Sequence, residues 1–260
     1  EFLLKLLLEP MNLRKGFSKY FRYVPALTPE LAAEVYKIRH KVYCEDLKFE
    51  QARPDGLETD SFDAHSVYGL VQSVATDEYV GCARLILPNP EDPARRFPVE
   101  VSCATTIDKS IFDPDAYPRT KLAEVSRLAV IASYRRRKGE QQQPAPVTDE
   151  SFGSITQPRF PYIPCALYFG CAALARKFGI ERVLVLTEPR LASHFRKLGM
   201  NIQPIGEGVE HRGLRVPSVI NAVTFPTDIQ HALRLLYKLI EHEVDLAVER
   251  LPREARLKRG

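Results

Sequence analysis

The segment Lys121-Leu122-Ala123-Glu124-Val125-Ser126-Arg127-Leu128-Ala129-Val130-Ile131 constrains this chain more than any other. Read as a strand it alternates, with Glu124, Ser126 and Leu128 facing one way and Val125, Arg127 and Ala129 the other. An acid and an arginine inside an otherwise apolar strand are costly unless they are paired or used. One reading is an ion pair that fixes strand register; the other is chemistry. Arg39, Asp60, Asp63 and Arg84 precede the segment, each at an element boundary or inside an apolar run. A basic turn, Arg135-Arg136-Arg137-Lys138, follows it. These neighbours favour chemistry.

Upstream, Tyr20 to Val24 is aromatic and β-branched and reads as a strand. Thr28-Pro29-Glu30 opens a helix, with Thr28 as N-cap and Pro29 in the first turn. Leu31, Val35, Ile38 and Val42 recur at helical spacing, which sets Arg39 at the edge of the buried face. Tyr43 and Phe49 carry apolar character past the helix end. After a loop containing Pro54-Asp55-Gly56, Asp60 and Asp63 form a polar corner before a strand from His65 to Val74. Asp77-Glu78 turns the chain into a second strand, Tyr79 to Leu87, and Arg84 interrupts its apolar run.

Pro88 to Pro118 reads as a long ordered loop with one helical turn, and Gln141 to about Gln157 as a flexible insertion. Pro161 to Phe178 is an apolar helix closed by Gly179, Arg182 to Thr187 a buried strand, and Pro189 to Leu198 a helix stopped by Gly199. Strands near 202–205 and 218–225 and an amphipathic helix over about 227–250 complete the chain. The expectation is one α/β domain over 19–260, a mixed and mostly antiparallel sheet flanked by helices, with an insertion at about 139–157. Residues 1–18 form an N-terminal extension, read as a short amphipathic helix packed on the body or partly disordered. A resting place on a membrane surface is the less favoured reading of its first ten residues.

Several chemistries are set aside. There is no GxSxG elbow, P-loop or dinucleotide glycine fingerprint. The six histidines and five cysteines show no metal-ligand spacing, so no metal is expected, and the cysteines read as buried thiols in a reducing compartment. A net charge of +4 gives no case for nucleic acid. What remains is carboxylates beside arginines. Carboxylates take or hold the proton of an ammonium, and arginines hold a carboxylate or fix the acids. Backbone N–H groups where a strand meets a helix hold phosphate. This set suits acyl transfer to an amine from a phosphopantetheine thioester.

Four motifs occur in order: Arg39-His40-Lys41-Val42-Tyr43, Asp60-x-Phe62-Asp63, Gly81-x-x-Arg84-Leu85 and Glu124-x-Ser126-Arg127. They resemble the signature of acyl-homoserine-lactone (autoinducer) synthases and N-acyl amino acid synthases of the GNAT (N-acetyltransferase) superfamily. Over nearly its whole length the chain looks most like the bacterial acyltransferases associated with PEP-CTERM/exosortase systems. The resemblance implies a single-domain GNAT-like fold with an extra C-terminal helix and no bound cofactor. It implies a cytoplasmic enzyme that moves a long-chain acyl group from acyl carrier protein, or acyl-CoA, to the amine of an amino acid.

By the same resemblance Glu124 is the general base, acting through water, with Arg127 and Ser126 beside it and a bulge near Leu128 supplying oxyanion donors. Asp60 and Asp63 order the N-terminal lid or help bind the acceptor ammonium, with Arg39 as a pairing partner and Arg84 among the substrate-binding residues, and Tyr43 and Phe49 wall the acceptor pocket. Arg135, Arg136, Arg137 and Lys138 meet the acyl donor's phosphate, and only Gly139 remains of that loop's usual glycines, which favours carrier protein over coenzyme A. The helix from Ile163 to Leu174 and the strand at Val183 to Leu186 wall an acyl tunnel. Phe49 stands where autoinducer synthases carry tryptophan, which turns the reading away from a lactone product. Two alternatives stay open: an acyl-homoserine-lactone synthase using S-adenosylmethionine, and a non-catalytic acyl-binding or regulatory protein of the same fold.

Overall fold

Eight strands make one sheet in the computed structural model, which describes residues 10–135 and 161–252. The strands are β1 (Phe21–Ala26), β2 (Ser66–Ser73), β3 (Tyr79–Ile86), β4 (Leu122–Val130), β5 (Arg182–Thr187), β6 (Ile202–Pro204), β7 (Val209–Glu210) and β8 (Leu214–Asn221). Their order is β1-β2-β3-β4-β5-β8-β6, with β7 paired to β8. Every pairing is antiparallel except β4 with β5. Among the described residues five helices of eight residues or more accompany them: α1 (Pro10–Tyr20), α2 (Pro29–Arg39), α3 (Tyr162–Lys177), α4 (Pro189–Lys197) and α5 (His231–Glu249).

Helix α3 is apolar all round because it is enclosed, with thirteen residues from Ile163 to Ala175 buried between the sheet and α5. Helix α5 turns Leu233, Leu236, Ile240 and Val244 inward. It also meets α1, whose Leu13 and Phe17 join the same core. Part of the expected N-terminal extension is thus built into the body. The close approach of α3 to the sheet requires two glycines: a Cβ on Gly69 or Gly170 would lie within 2.3 Å and 2.0 Å of the Tyr23 ring or hydroxyl. The other face is covered by α2 and the turn that follows it, with Val35, Ile38 and Val42 against Leu70, Cys82 and Ala129.

Local signals account for most boundaries. Thr28 Oγ1 accepts from Leu31 N at 3.4 Å and Pro29 opens α2. Gly179 and Gly199 take φ of +70° and +81° just after α3 and α4. Three expectations are corrected. Tyr43 does not lie past the helix end: after Arg39 the chain continues as a π-helix, His40–Asp46, in which Leu47 N bonds Val42 O at 2.9 Å. The last long strand is Leu214–Asn221, so Phe225 opens a helical turn, Phe225–Asp228, instead of closing a strand. The final helix starts at His231. The 88–118 segment does contain one helical turn, Pro98–Ser102.

Candidate active site

Strand β4 does not alternate as its sequence predicts. Arg84 pairs with Ser126 and Cys82 with Ala129, so Arg127 and Leu128 together oppose Ala83. This is a β-bulge, and Arg127 stands in it at φ +52°, a left-handed conformation that bulges normally give to glycine. The bulge carries Arg127 onto the side of Arg84, not to the opposite face. Such a backbone costs on the order of 1–3 kcal/mol and persists only where its surroundings over-determine it.

Those surroundings are acids. Arg127 Nη2 lies 3.3 Å from both Glu58 Oε1 and Asp60 Oδ2, and 3.6 Å from Glu50 Oε1. Arg84 Nη1 donates to Asp60 Oδ1 at 2.7 Å and Asp63 Oδ1 at 2.9 Å, and its Nε to Ser126 Oγ at 3.1 Å. Arg39, expected at the edge of its helix face, is fully buried. Its guanidinium reaches Glu58 and, at 2.6 Å, Asp63 Oδ1. Tyr68 adds a hydroxyl donated to Asp63 Oδ1 at 3.0 Å. Arg39, Arg84 and Arg127 therefore close one network with Glu58, Asp60 and Asp63, and Glu50 extends it from Arg127. Burial works to raise the Asp60 and Asp63 pKa values, but the bonds to Arg84 and Arg39 outweigh it and hold both below the usual carboxylate range.

Beside this network β4 and β5 part company. They pair in parallel from Leu122↔Arg182 to Val125↔Val185 and then separate, leaving a cleft of about 160 Å³. Tyr43, Phe49, Ser126, Arg127 and Leu128 line one side, with Tyr168, Val185, Leu186 and Leu191 on the other. The Tyr43 hydroxyl donates to the Leu128 carbonyl at 2.8 Å, tying the π-helix to the bulge. Phe49 N bonds Tyr43 O at 2.7 Å, which brings both rings to the same wall. Arg215 and Glu188 also line the cleft, paired at 2.5 Å. Of the expected tunnel walls, Val185 and Leu186 reach the cleft while Ile163 and Leu174 are core.

Glu124 lies apart. It is buried two residues below Ser126, on the Arg84 face, and its Oε2 accepts from Val99 N at 2.8 Å. Burial pushes its pKa up to about 8, against the Val99 N–H bond and the Arg84 charge. It does not line the cleft; Ser126, Arg127 and Leu128 do. The turn Pro98–Ser102 covers it, and Glu100 anchors that turn by accepting from Phe97 N at 2.8 Å and Arg119 Nη1 at 2.8 Å.

Sequence reasoning did not single out Glu58, Glu50, Arg212, Arg215 or Glu188. Glu58 stands two residues before Asp60, so counting all acids ahead of β2 was the available signal. Arg212 Nη2 donates to Glu50 Oε1 at 2.8 Å from a turn far along the chain, and nothing local marks it. Arg135 ends a helical turn, Ala132–Arg135, after β4; Arg136, Arg137, Lys138 and the insertion from 139 to 157 lie outside the described residues. Among the described residues no group of three acids, histidines or cysteines could hold a metal ion. No described helix is long and apolar enough to cross a membrane.

Residues 38–143, from the end of α2 through β4 and containing all three arginines of the network, match the family described as acetyltransferase (GNAT) domain. The chain has a GNAT-like fold. Solved structures share this fold. TofI, solved in a ternary complex with an inhibitor and MTA, is 20% identical with a TM-score of 0.54, covering 84% of this chain and 98% of its own. The CoA-dependent acyl-homoserine lactone synthase BjaI, solved with SAM and isopentyl-CoA, is 18% identical with a TM-score of 0.51 over 85% of this chain and 89% of its own. FeeM, an N-acyl amino acid synthase from uncultured soil microbes, is 12% identical with a TM-score of 0.51 over 82% of this chain and 96% of its own. No curated protein matches the chain in sequence.

Proposed function

We propose that this GNAT domain transfers a long-chain fatty acyl group from the phosphopantetheine thioester of an acyl carrier protein to the amine of an amino acid. The observation that carries the reading is the bulge at Arg127–Leu128, held open to a cleft between splayed strands by an acid–arginine wall. A bulge frees backbone N–H groups from the ladder, and donors fixed before reaction are what a tetrahedral oxyanion needs. Tyr43, by holding the Leu128 carbonyl, keeps that peptide from turning. Tyr168, Val185 and Leu191 give the acyl chain an apolar wall.

The amine attacks the thioester carbonyl, the carbon–sulfur bond breaks as the tetrahedral adduct collapses, and the thiol leaves with a proton. The ammonium must first lose a proton. Glu124 accepts it through water by way of Ser126, since residues two apart on one strand face are roughly 7 Å apart. Asp60 and Glu50, both partly exposed beside Arg127, attract the incoming ammonium. Arg39, Arg84 and Asp63 are positioning residues beneath them. Arg135 to Lys138 supply positive charge for the donor's phosphate and for the acidic carrier.

The solved likeness to a synthase holding SAM keeps a second reading open, an acyl-homoserine-lactone synthase. One screen separates the readings. Purified protein is incubated with long-chain acyl carrier protein, an amino-acid mixture and S-adenosylmethionine, and products are read by mass spectrometry. Acyl amino acids are expected. Methylthioadenosine release with an acyl lactone would instead establish the second reading, and carrier binding without any product would leave a non-catalytic acyl-binding protein.

A further inference from the structure

The largest opening near the sheet is not the cleft. At the opposite end of β4, where β2 and β4 begin and β3 ends, lies a cavity of about 640 Å³. That is within the range of small-molecule sites, roughly 300–1,000 Å³, whereas the cleft is below it. Leu87, Phe178 and Ile180 give it buried apolar walls, extended by Pro88, Pro90 and Pro93. Arg95, Arg119 and His65 supply its polar groups.

The charges on these groups are unequally satisfied. Arg119 is neutralised by buried Glu100, with Nη1 at 2.8 Å and 2.9 Å from its two oxygens. Arg95 is half-buried and has no carboxylate within 4 Å among the described residues. Its Nη2 donates to Ser61 Oγ at 2.6 Å and its guanidinium lies 4.3 Å over the Phe62 ring, leaving Nε and Nη1 without an acceptor among the described residues. His65, whose pKa is lowered by burial and then by Arg95 and Arg84, is neutral there and adds no competing cation. The acid in the lining, Glu91, is exposed at the rim. A fixed guanidinium at the mouth of an apolar cavity is matched by a carboxylate carrying an apolar body.

We propose that this cavity is a second binding site, for a medium-chain amphiphile with one carboxylate, anchored by Arg95 and packed on Leu87, Phe178 and Ile180. It is separate from the cleft and does not depend on acyl transfer. Because Arg95 also holds Ser61, next to Asp60, occupancy is coupled to the acid–arginine wall.

The probe is sodium decanoate, with decanol as its neutral counterpart and a spin-labelled medium-chain fatty acid as the reporter of place. Isotope-labelled full-length protein is titrated and amide broadening is followed by NMR. Broadening is expected at residues 64–66, 87–95 and 178–180, with decanoate displacing the label at least ~10-fold more effectively than decanol, as a charge-assisted hydrogen bond implies. Arg95→Gln should remove that preference. Thr120→Trp, at an exposed wall position, should abolish the broadening while circular dichroism stays unchanged. Broadening confined to 43–49, 125–130 and 185–191 would assign the ligand to the cleft and overturn the proposal. So would equal displacement by decanol, or no broadening at millimolar ligand.

Discussion

The two ends of β4 handle charge in opposite ways. At the cleft end, three arginines and three carboxylates neutralise one another inside the protein, and the opening they border is small. At the other end the opening is four times larger (about 640 against 160 Å³), and Arg95 stands without an acid among the described residues. A charge-balanced network sets geometry: any group that leaves exposes its partners, so the wall can hold a strained bulge in place. An unsaturated cation sets affinity, because its energy of pairing is still available to a ligand.

The largest effect that could break this contrast is structural. Arg84→Met leaves Asp60 and Asp63 facing each other without their shared cation, and should cost about 3–5 kcal/mol in chemical denaturation. A loss below ~1 kcal/mol would mean the wall is no more saturated than the far cavity. Next comes turnover. Glu124→Gln is expected to lower it roughly 10²-fold or more with the fold intact, and wild-type turnover should climb with pH towards a plateau above about 8. A flat profile from pH 6 to 9 would remove Glu124 from proton transfer.

The same carboxyl makes a stability prediction. Its folded pKa lies above its unfolded value, so the unfolded chain binds fewer protons between the ordinary glutamate range and about 8. Stability attributable to Glu124 therefore falls as pH rises through that window, and Glu124→Gln should gain on wild type from pH 5 to pH 9. Asp60 and Asp63 act in the reverse sense. Their folded pKa values are depressed, so their contribution is present above the ordinary aspartate range and is lost as pH falls through the folded values. Asp63→Asn should flatten the acid limb of the stability curve below about pH 4. The smallest effect belongs to the far cavity: Arg95→Gln should change stability by about 1 kcal/mol or less, through one hydrogen bond and one ring contact.

The arginines of the wall are visible in the sequence because each interrupts an apolar period. Arg39, Arg84 and Arg127 stand out in that way, and so do the Thr28 and glycine boundary signals. Periodicity could not place Arg127 on its face, since a bulge resets the count at the very residue being counted. Nor could it pick out Glu58, which lies in a loop where no period exists, or the bond from Val99 to Glu124, which joins residues 25 apart. The unpaired state of Arg95 is a fact about its surroundings and has no local signature at all.

The five cysteines, Cys44, Cys82, Cys103, Cys165 and Cys171, are all free and all buried. Burial raises each thiol's pKa, so little thiolate is present to react while the chain is folded. They are distributed over the π-turn, β3, the 88–118 segment and α3. Alkylation therefore reads out opening region by region, and mass-resolved labelling of the native protein would act as an internal clock for which part of the fold loosens first.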